Sequence, residues 1–234
     1  VAAERTVAES APGARAPSFP GPGHDCPLCP RLVAFREEWR AKQPDWFNGP
    51  VPTFGAADAR LLIVGLAPGL RGANRTGRPF TGDYAGDLLY RTLKDFGLAT
   101  GTYEARPDDG LRLVDTAIAN GVRCVPPQNK PLPAEIGNCR PFLSETIVAM
   151  PRLVAIVALG RVAHETTVKA LGLKLSALPF KHGAIHQARA PQQNGEGLTL
   201  HDSYHCSRYN TNTGVLTEAM FADVFEGVRS RLDG

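Results

Sequence analysis

Arg60-Leu-Leu-Ile-Val-Gly65 decides the fold. Residues 61–64 are aliphatic at every position rather than at alternate ones, and the run stops at a glycine. A run that short and that uniformly apolar fits a parallel strand buried on both faces better than a helix. Working outward, residues 113–122, 153–159 and 198–204 read as three further strands. Residues 31–42, 84–96, 133–150, 161–171 and 217–231 carry the spacing of helices, and 44–55 is a loop rich in Pro and Gly. Strands alternating with helices predict an α/β fold: a three-layer α/β/α sandwich around a four-stranded parallel sheet with right-handed crossovers. In such a sheet the site lies at the carboxyl ends of the strands. Three polar segments rich in Gly or Pro fall there, at 66–83, 123–131 and 205–214.

The 234 residues suit one domain, expected over 24–234, behind a disordered tail at 1–23 that mixes Ala, Pro, Gly and Ser with a few charges. A net charge of +3 is compatible with a phosphate-bearing partner but does not select one. No apolar run is long enough to span a bilayer, and residues 1–23 lack the apolar centre of a secretion signal. The expectation is a cytoplasmic monomer without a membrane partner.

Five cysteines in a reducing compartment point to metal or chemistry rather than disulfides. Cys26 and Cys29 form a C-x-x-C pair with Pro after each, and Cys124 and Cys139 flank a Pro-rich loop. By ligand type, four such thiolates suit a [4Fe–4S] cluster or a structural zinc equally well. The bland alternative makes Cys124 and Cys139 small buried hydrophobes. Cys206 is left over as a packing or substrate-side residue. A zinc base deaminase would need Glu two residues after a His, which no His here has.

The loop from Gly65 to Asp83 holds five glycines and three arginines, so backbone amides there approach a ligand closely. That loop joins three other motifs, Val122-Arg-Cys-Val-Pro-Pro-Gln-Asn-Lys-Pro131, Ala158-Leu-Gly-Arg161 and Ser203-Tyr-His-Cys-Ser-Arg-Tyr-Asn-Thr-Asn-Thr-Gly214. With them the chain resembles the uracil-DNA glycosylase superfamily, most closely its iron–sulfur family 5 branch, from Cys26 to about Glu226.

The resemblance implies a [4Fe–4S] cluster on Cys26, Cys29, Cys124 and Cys139. It also implies hydrolysis of the bond between deoxyribose and a flipped, damaged base in DNA, leaving an abasic site. Family 4 relatives place an acidic or amide side chain where this chain has Leu66, which argues against a uracil-specific enzyme of that kind. The resemblance moves the water-activating or cation-stabilising role to Asp83, which also stands where an N-cap for the helix at 84 would. As the bond breaks, positive charge develops on the sugar and negative charge on the base, so a donor near the base also lowers the barrier. His205 suits that role, and Asn129 sits by resemblance near the sugar or its water. Phe80 matches the stacking aromatic, Asn120 is a candidate reader of the base edge, and the amides of Leu66 and Ala67 are further base contacts. Phosphate contacts are expected from Arg71, Arg75, Arg78, Lys130 and Arg208, with Ser207, Thr211 and Asn212 as hydrogen-bonding partners. The rival from another class is a non-catalytic nucleic-acid-binding module stapled by metal.

Overall fold

The computed structural model describes residues 19–189 and 197–234. In chain order the elements are α1 (Pro30–Lys42), β1 (Phe54–Gly55), β2 (Leu61–Gly65), α2 (Ala73–Thr76), α3 (Tyr84–Asp95), β3 (Ala99–Thr100), β4 (Arg112–Leu113) and β5 (Thr116–Asn120). There follow α4 (Pro133–Val148), β6 (Ala155–Leu159), α5 (Arg161–Ala170), β7 (Ile185–Ala188), β8 (Leu198–Ser203), α6 (Arg208–Asn212) and α7 (Glu218–Asp233). Four strands run parallel in the order β5-β2-β6-β8, as expected, and all of their residues are buried. The sheet is wider than four strands. Short antiparallel strands close it, β1 against β5 and β7 against β8.

Because strand side chains alternate, β2 sends Leu61 and Ile63 to one face and Leu62 and Val64 to the other. The first pair packs under α3 and α7 with Leu89, Leu93, Phe221 and Phe225, and the second under α4 and α5 with Leu143, Ile147 and Val168. Each such side chain contributes roughly 1.5–3 kcal/mol by leaving water. This is the three-layer sandwich.

One boundary differs from expectation. The strand expected at 113–122 breaks at Asp115, whose φ is 50°; its carboxylate accepts from the Arg60 amide and guanidinium at 2.8 and 2.6 Å. Paired to Arg60, Asp115 turns the chain between β4 and β5. The tail expected over 1–23 lies outside the described residues up to 18, but Phe19 packs against the α4–α5 side of the core, and an aromatic that gains such a contact is held in place. The buried residues of α1 are Leu32 and Arg36, while Val33, Phe35 and Trp39 are half-buried.

Strand register aligns the carboxyl ends: Gly65 lies beside Asn120, and Leu159 beside Ser203. The chain leaves β2 toward β5 on one side, then crosses to β6 on the other, which opens a crevice at the carboxyl edge. On the flank, Arg31 of α1 forks onto Glu135 of α4 at 2.8 and 2.7 Å, while Glu135 also accepts from the Leu132 amide. That link brings Cys29, just before α1, against Cys139 on α4.

Candidate active site

A cleft of about 910 Å³ opens at the crevice, lined by the loops after β2, β5 and β8. Its lining includes Leu66, Ala67, Phe80, Asp83, Asn120, Asn129, His205, Ser207 and Arg208. Every residue expected to act on sugar or base is therefore in one cavity. Asp83 is the N-cap of α3: its Oδ1 accepts from the Gly86 amide at 3.2 Å. Its Oδ2 lies against Gly69 and Gly72, where a Cβ would stand 2.9 and 2.5 Å from it. Burial raises the Asp83 carboxyl above its ordinary value, against the Gly86 hydrogen bond, which lowers it. The same side chain thus caps α3 and lines the cleft.

Phe80 is buried and adopts a left-handed φ of 52°, a conformation rare for a bulky residue. Its ring faces His205 with centroids 6.1 Å apart and planes 28° from parallel. Burial pushes the His205 imidazole down to about 4, so it is neutral at physiological pH. Neither that ring nor the Asn120 amide has a hydrogen-bond partner among the described residues, leaving both free toward the cleft. Gly65 packs behind these side chains: a Cβ there would lie 2.5 Å from Asn120 Oδ1 and 2.6 Å from Phe80. Gln128 and Asn129 both take φ of 56°, a bend that presents exposed Asn129 at the cleft.

Behind the His205 loop, Asp202 at the end of β8 accepts from His164 Nδ1 at 2.6 Å and His186 Nε2 at 2.9 Å, while His164 Nε2 donates to the Leu178 carbonyl. Burial opposes protonation of His164, but the hydrogen bond and charge of Asp202 outweigh it and hold its pKa above 6.5. No local pattern pairs these residues, which lie 38 and 16 positions apart.

Among the expected phosphate residues, Arg71, Arg75, Lys130, Arg208 and Asn212 are exposed, and Thr211 and Ser207 are half-buried. Ser207 caps α6 through the Asn210 amide, and Arg208 lies over the Tyr84 ring at 5.2 Å. Arg78 requires correction. It is 4% exposed, and its guanidinium forks onto Asp109 at 2.8 and 2.7 Å, with a third bond to Thr81. A bidentate pair this deep in the protein satisfies the charge internally, so Arg78 ties the loop down rather than facing a phosphate. Tyr209, unmarked in the sequence, is 74% exposed beside Arg208. An aromatic in an otherwise polar loop was the available signal.

A second, small cavity is lined by Cys26, Cys29, Cys124 and Cys139 together with Leu32, Arg36, Val122 and Phe142. All four thiols are free. No three of their sulfurs lie within 4.8 Å of one another. Four thiols are a ligand set that a tetrahedral zinc and a [4Fe–4S] cluster share. Two donors already point at sulfur: the Arg123 amide reaches Cys139 Sγ at 3.2 Å, and Asn138 reaches Cys29 Sγ at 3.8 Å. Ala67 lines the cleft and also packs against the apolar shell of this cavity, so the two sites share a wall. Cys206 lies apart, buried in the core.

An α/β sandwich with these loops around one carboxyl-edge cleft matches the model of the uracil DNA glycosylase superfamily over residues 52–229, and the chain belongs to that superfamily. Within it, the chain is 46% identical over 205 residues to the type-5 uracil-DNA glycosylase of Thermus thermophilus, covering 85% of this chain and 90% of that protein. It is 39% identical over 205 residues to the type-5 enzyme of Pyrobaculum aerophilum, with 86% of each covered. The type-4 uracil-DNA glycosylase of the same organism is 33% identical over 157 residues, covering 66% of this chain and 70% of that protein.

Proposed function

We propose that this protein is a DNA-repair glycosylase that hydrolyses the N-glycosidic bond of uracil and of other deaminated bases, leaving an abasic site. The observation that carries this reading is the convergence of Asp83 and His205 in one cleft with Phe80 and Asn120 at the base slot. A base swung out of the helix stacks on Phe80 and presents its edge to Asn120 and to the amides of Leu66 and Ala67. Asp83 faces the sugar, where its carboxylate stabilises the developing cation or orients the attacking water with Asn129. His205, neutral, donates to the departing base as negative charge builds on it. Leu66 offers no side-chain hydrogen bond that would select uracil, which favours a permissive slot. Arg71, Arg75, Lys130, Ser207 and Arg208 grip the phosphates on either side, and Tyr209 at the rim fills the space that the flipped base leaves in the stack.

The four cysteines suit a [4Fe–4S] cluster: the donor set is all thiol, and amide donors aim at two of the sulfurs. Bound there, the cluster supplies a covalent staple between the N-terminal segment, α4 and the loop after β5. The chain's own residues perform the hydrolysis. A panel of oligonucleotides, each carrying one modified base and read by strand cleavage in alkali, tests the activity. Excision of uracil alone would refute the permissive slot, and no excision at all would refute the function.

A further inference from the structure

The fold supplies a carboxylate to one deeply buried arginine and withholds it from two others. Arg78 is clamped by Asp109. Arg36 and Arg123 are as deeply buried, at 3% and 1% exposure, yet neither hydrogen-bonds a carboxylate among the described residues. Arg36 donates to the Cys26 carbonyl at 3.2 Å, and its Nε has no hydrogen-bond partner. Glu37 Oε1 stands 3.7 Å from that Nε, but it is more than half exposed and is already bonded by Arg40 at 3.0 Å. Arg123 donates to two neutral hydroxyls, of Thr53 and Thr146, each at 2.8 Å, and its Nε is also without a partner.

A guanidinium keeps its charge at any pH at which the protein folds, so burial without a counter-charge is strongly unfavourable. Arg36 lies at the cysteine cavity, and the Arg123 side chain lines the neighbouring cavity with Thr53. Arg123 directly precedes Cys124, and its amide bonds Cys139 Sγ. Four thiolates carry more negative charge than an iron–sulfur core carries positive charge, so the bound assembly is anionic.

We propose that Arg36 and Arg123 are the buried counter-ions of this assembly, raising its reduction potential and protecting it from oxidative loss. The proposal rests on the reading that the four cysteines hold a [4Fe–4S] cluster. A nearby positive charge favours whichever form carries one more electron. Removing it therefore moves the potential to more negative values and lets an oxidant reach the unstable oxidised form sooner. A purely structural role, with Arg123 as a strut between two threonines and Arg36 as a cap on Cys26, would leave the potential where it is.

The test uses the anaerobically purified full chain and the variants Arg36→Gln, Arg36→Lys, Arg123→Gln and Arg123→Lys. Iron and sulfide content of the unaltered protein is read first, and zinc in place of iron would overturn the cluster reading itself. With iron present, each Gln variant is expected to shift the potential by at least a tenfold change in the oxidised-to-reduced ratio, about 59 mV for one electron. Bleaching by ferricyanide should be several-fold faster, and the Lys variants should keep most of the native potential. Gln variants with native potential and bleaching rate would overturn the proposal. Should Arg123→Gln not accumulate, recovery of iron-loaded protein with Arg123→Lys supports the charge role. Failure of both would overturn it for Arg123, with the Arg36 pair deciding the rest.

Discussion

Asp83→Asn separates the charge of the central side chain from its shape. Asparagine caps helices about as well as aspartate, so the Gly86 amide keeps its acceptor. Losing the negative charge at the N-terminus of α3 costs about 0.3–1 kcal/mol. An opposing term comes from burial. The folded pKa of Asp83 lies above its ordinary 3.8, so the ionised carboxylate destabilises the fold at any pH above the folded value, and the penalty fades as pH falls through it. Asparagine removes that penalty. Two small effects of opposite sign leave the melting temperature within about 3 °C, given roughly 2–4 °C per kcal/mol for a chain of this size. The chemical loss is far larger: a positioned acid or base supplies about 10²–10⁴-fold, or roughly 3–5 kcal/mol of barrier. Single-turnover excision should fall by that factor for every base, because the sugar is common to all of them, while anisotropy reports unchanged DNA binding. Asp83→Ala should show the same chemical loss with about 1 kcal/mol less stability from the missing cap. An Asp83→Asn protein with native melting and less than tenfold loss of excision would refute the assignment.

Other expectations follow the same logic. Because burial holds His205 at about 4, the excision rate should show no step near pH 6.5, and such a step would mean that His205 titrates as an exposed imidazole. His205→Ala should slow most those bases that leave as poorly stabilised anions, and it should reduce the stability lost between pH 6.5 and 4, where the unfolded chain binds a proton and the folded one does not. Arg208→Ala should lower the salt slope of DNA binding by about 1. Arg78→Ala should leave the slope unchanged and cost about 3–5 kcal/mol by orphaning Asp109, as chemical denaturation would show. Replacing any of Cys26, Cys29, Cys124 or Cys139 with Ala should bleach the protein and destabilise it, whereas Cys206→Ala should keep the colour. Tyr209→Ala should weaken excision from double strands more than from single strands, since only a duplex leaves a gap in the stack; equal losses would remove Tyr209 from that role.

The inner strands were legible because they are aliphatic at every position, a pattern that only burial on both faces explains. The edge strands were not: β1 has two residues, and Ile185 at the start of β7 is exposed, so neither shows a period. The cleft residues were legible because they follow strand ends, where the topology must gather them. Arg78 was misread because its partner is 31 residues away in a segment without a periodic signal, and a lone arginine in a glycine-rich loop looks solvated. The wall of the cysteine cavity rests on the Arg31–Glu135 contact, 104 residues apart. Local spacing marks the cysteine pair at 26 and 29 but not what surrounds it, and nothing in the sequence singles out Arg36 as buried.

Gly65 has a consequence for how such an enzyme changes its taste in bases. One added methyl group at this position would collide with both Asn120 and Phe80, so the places of these two cleft-lining side chains depend on the absence of any side chain at Gly65. The residue is also the last of a central strand, paired to Asn120 across the sheet, and cannot retreat without unzipping that pairing. Drift in substrate range therefore has one direction open to it. If the cleft takes a base as proposed, that drift comes from cleft-lining positions such as 66, 67 and 205, where a substitution leaves the packing of Gly65 against Asn120 and Phe80 intact.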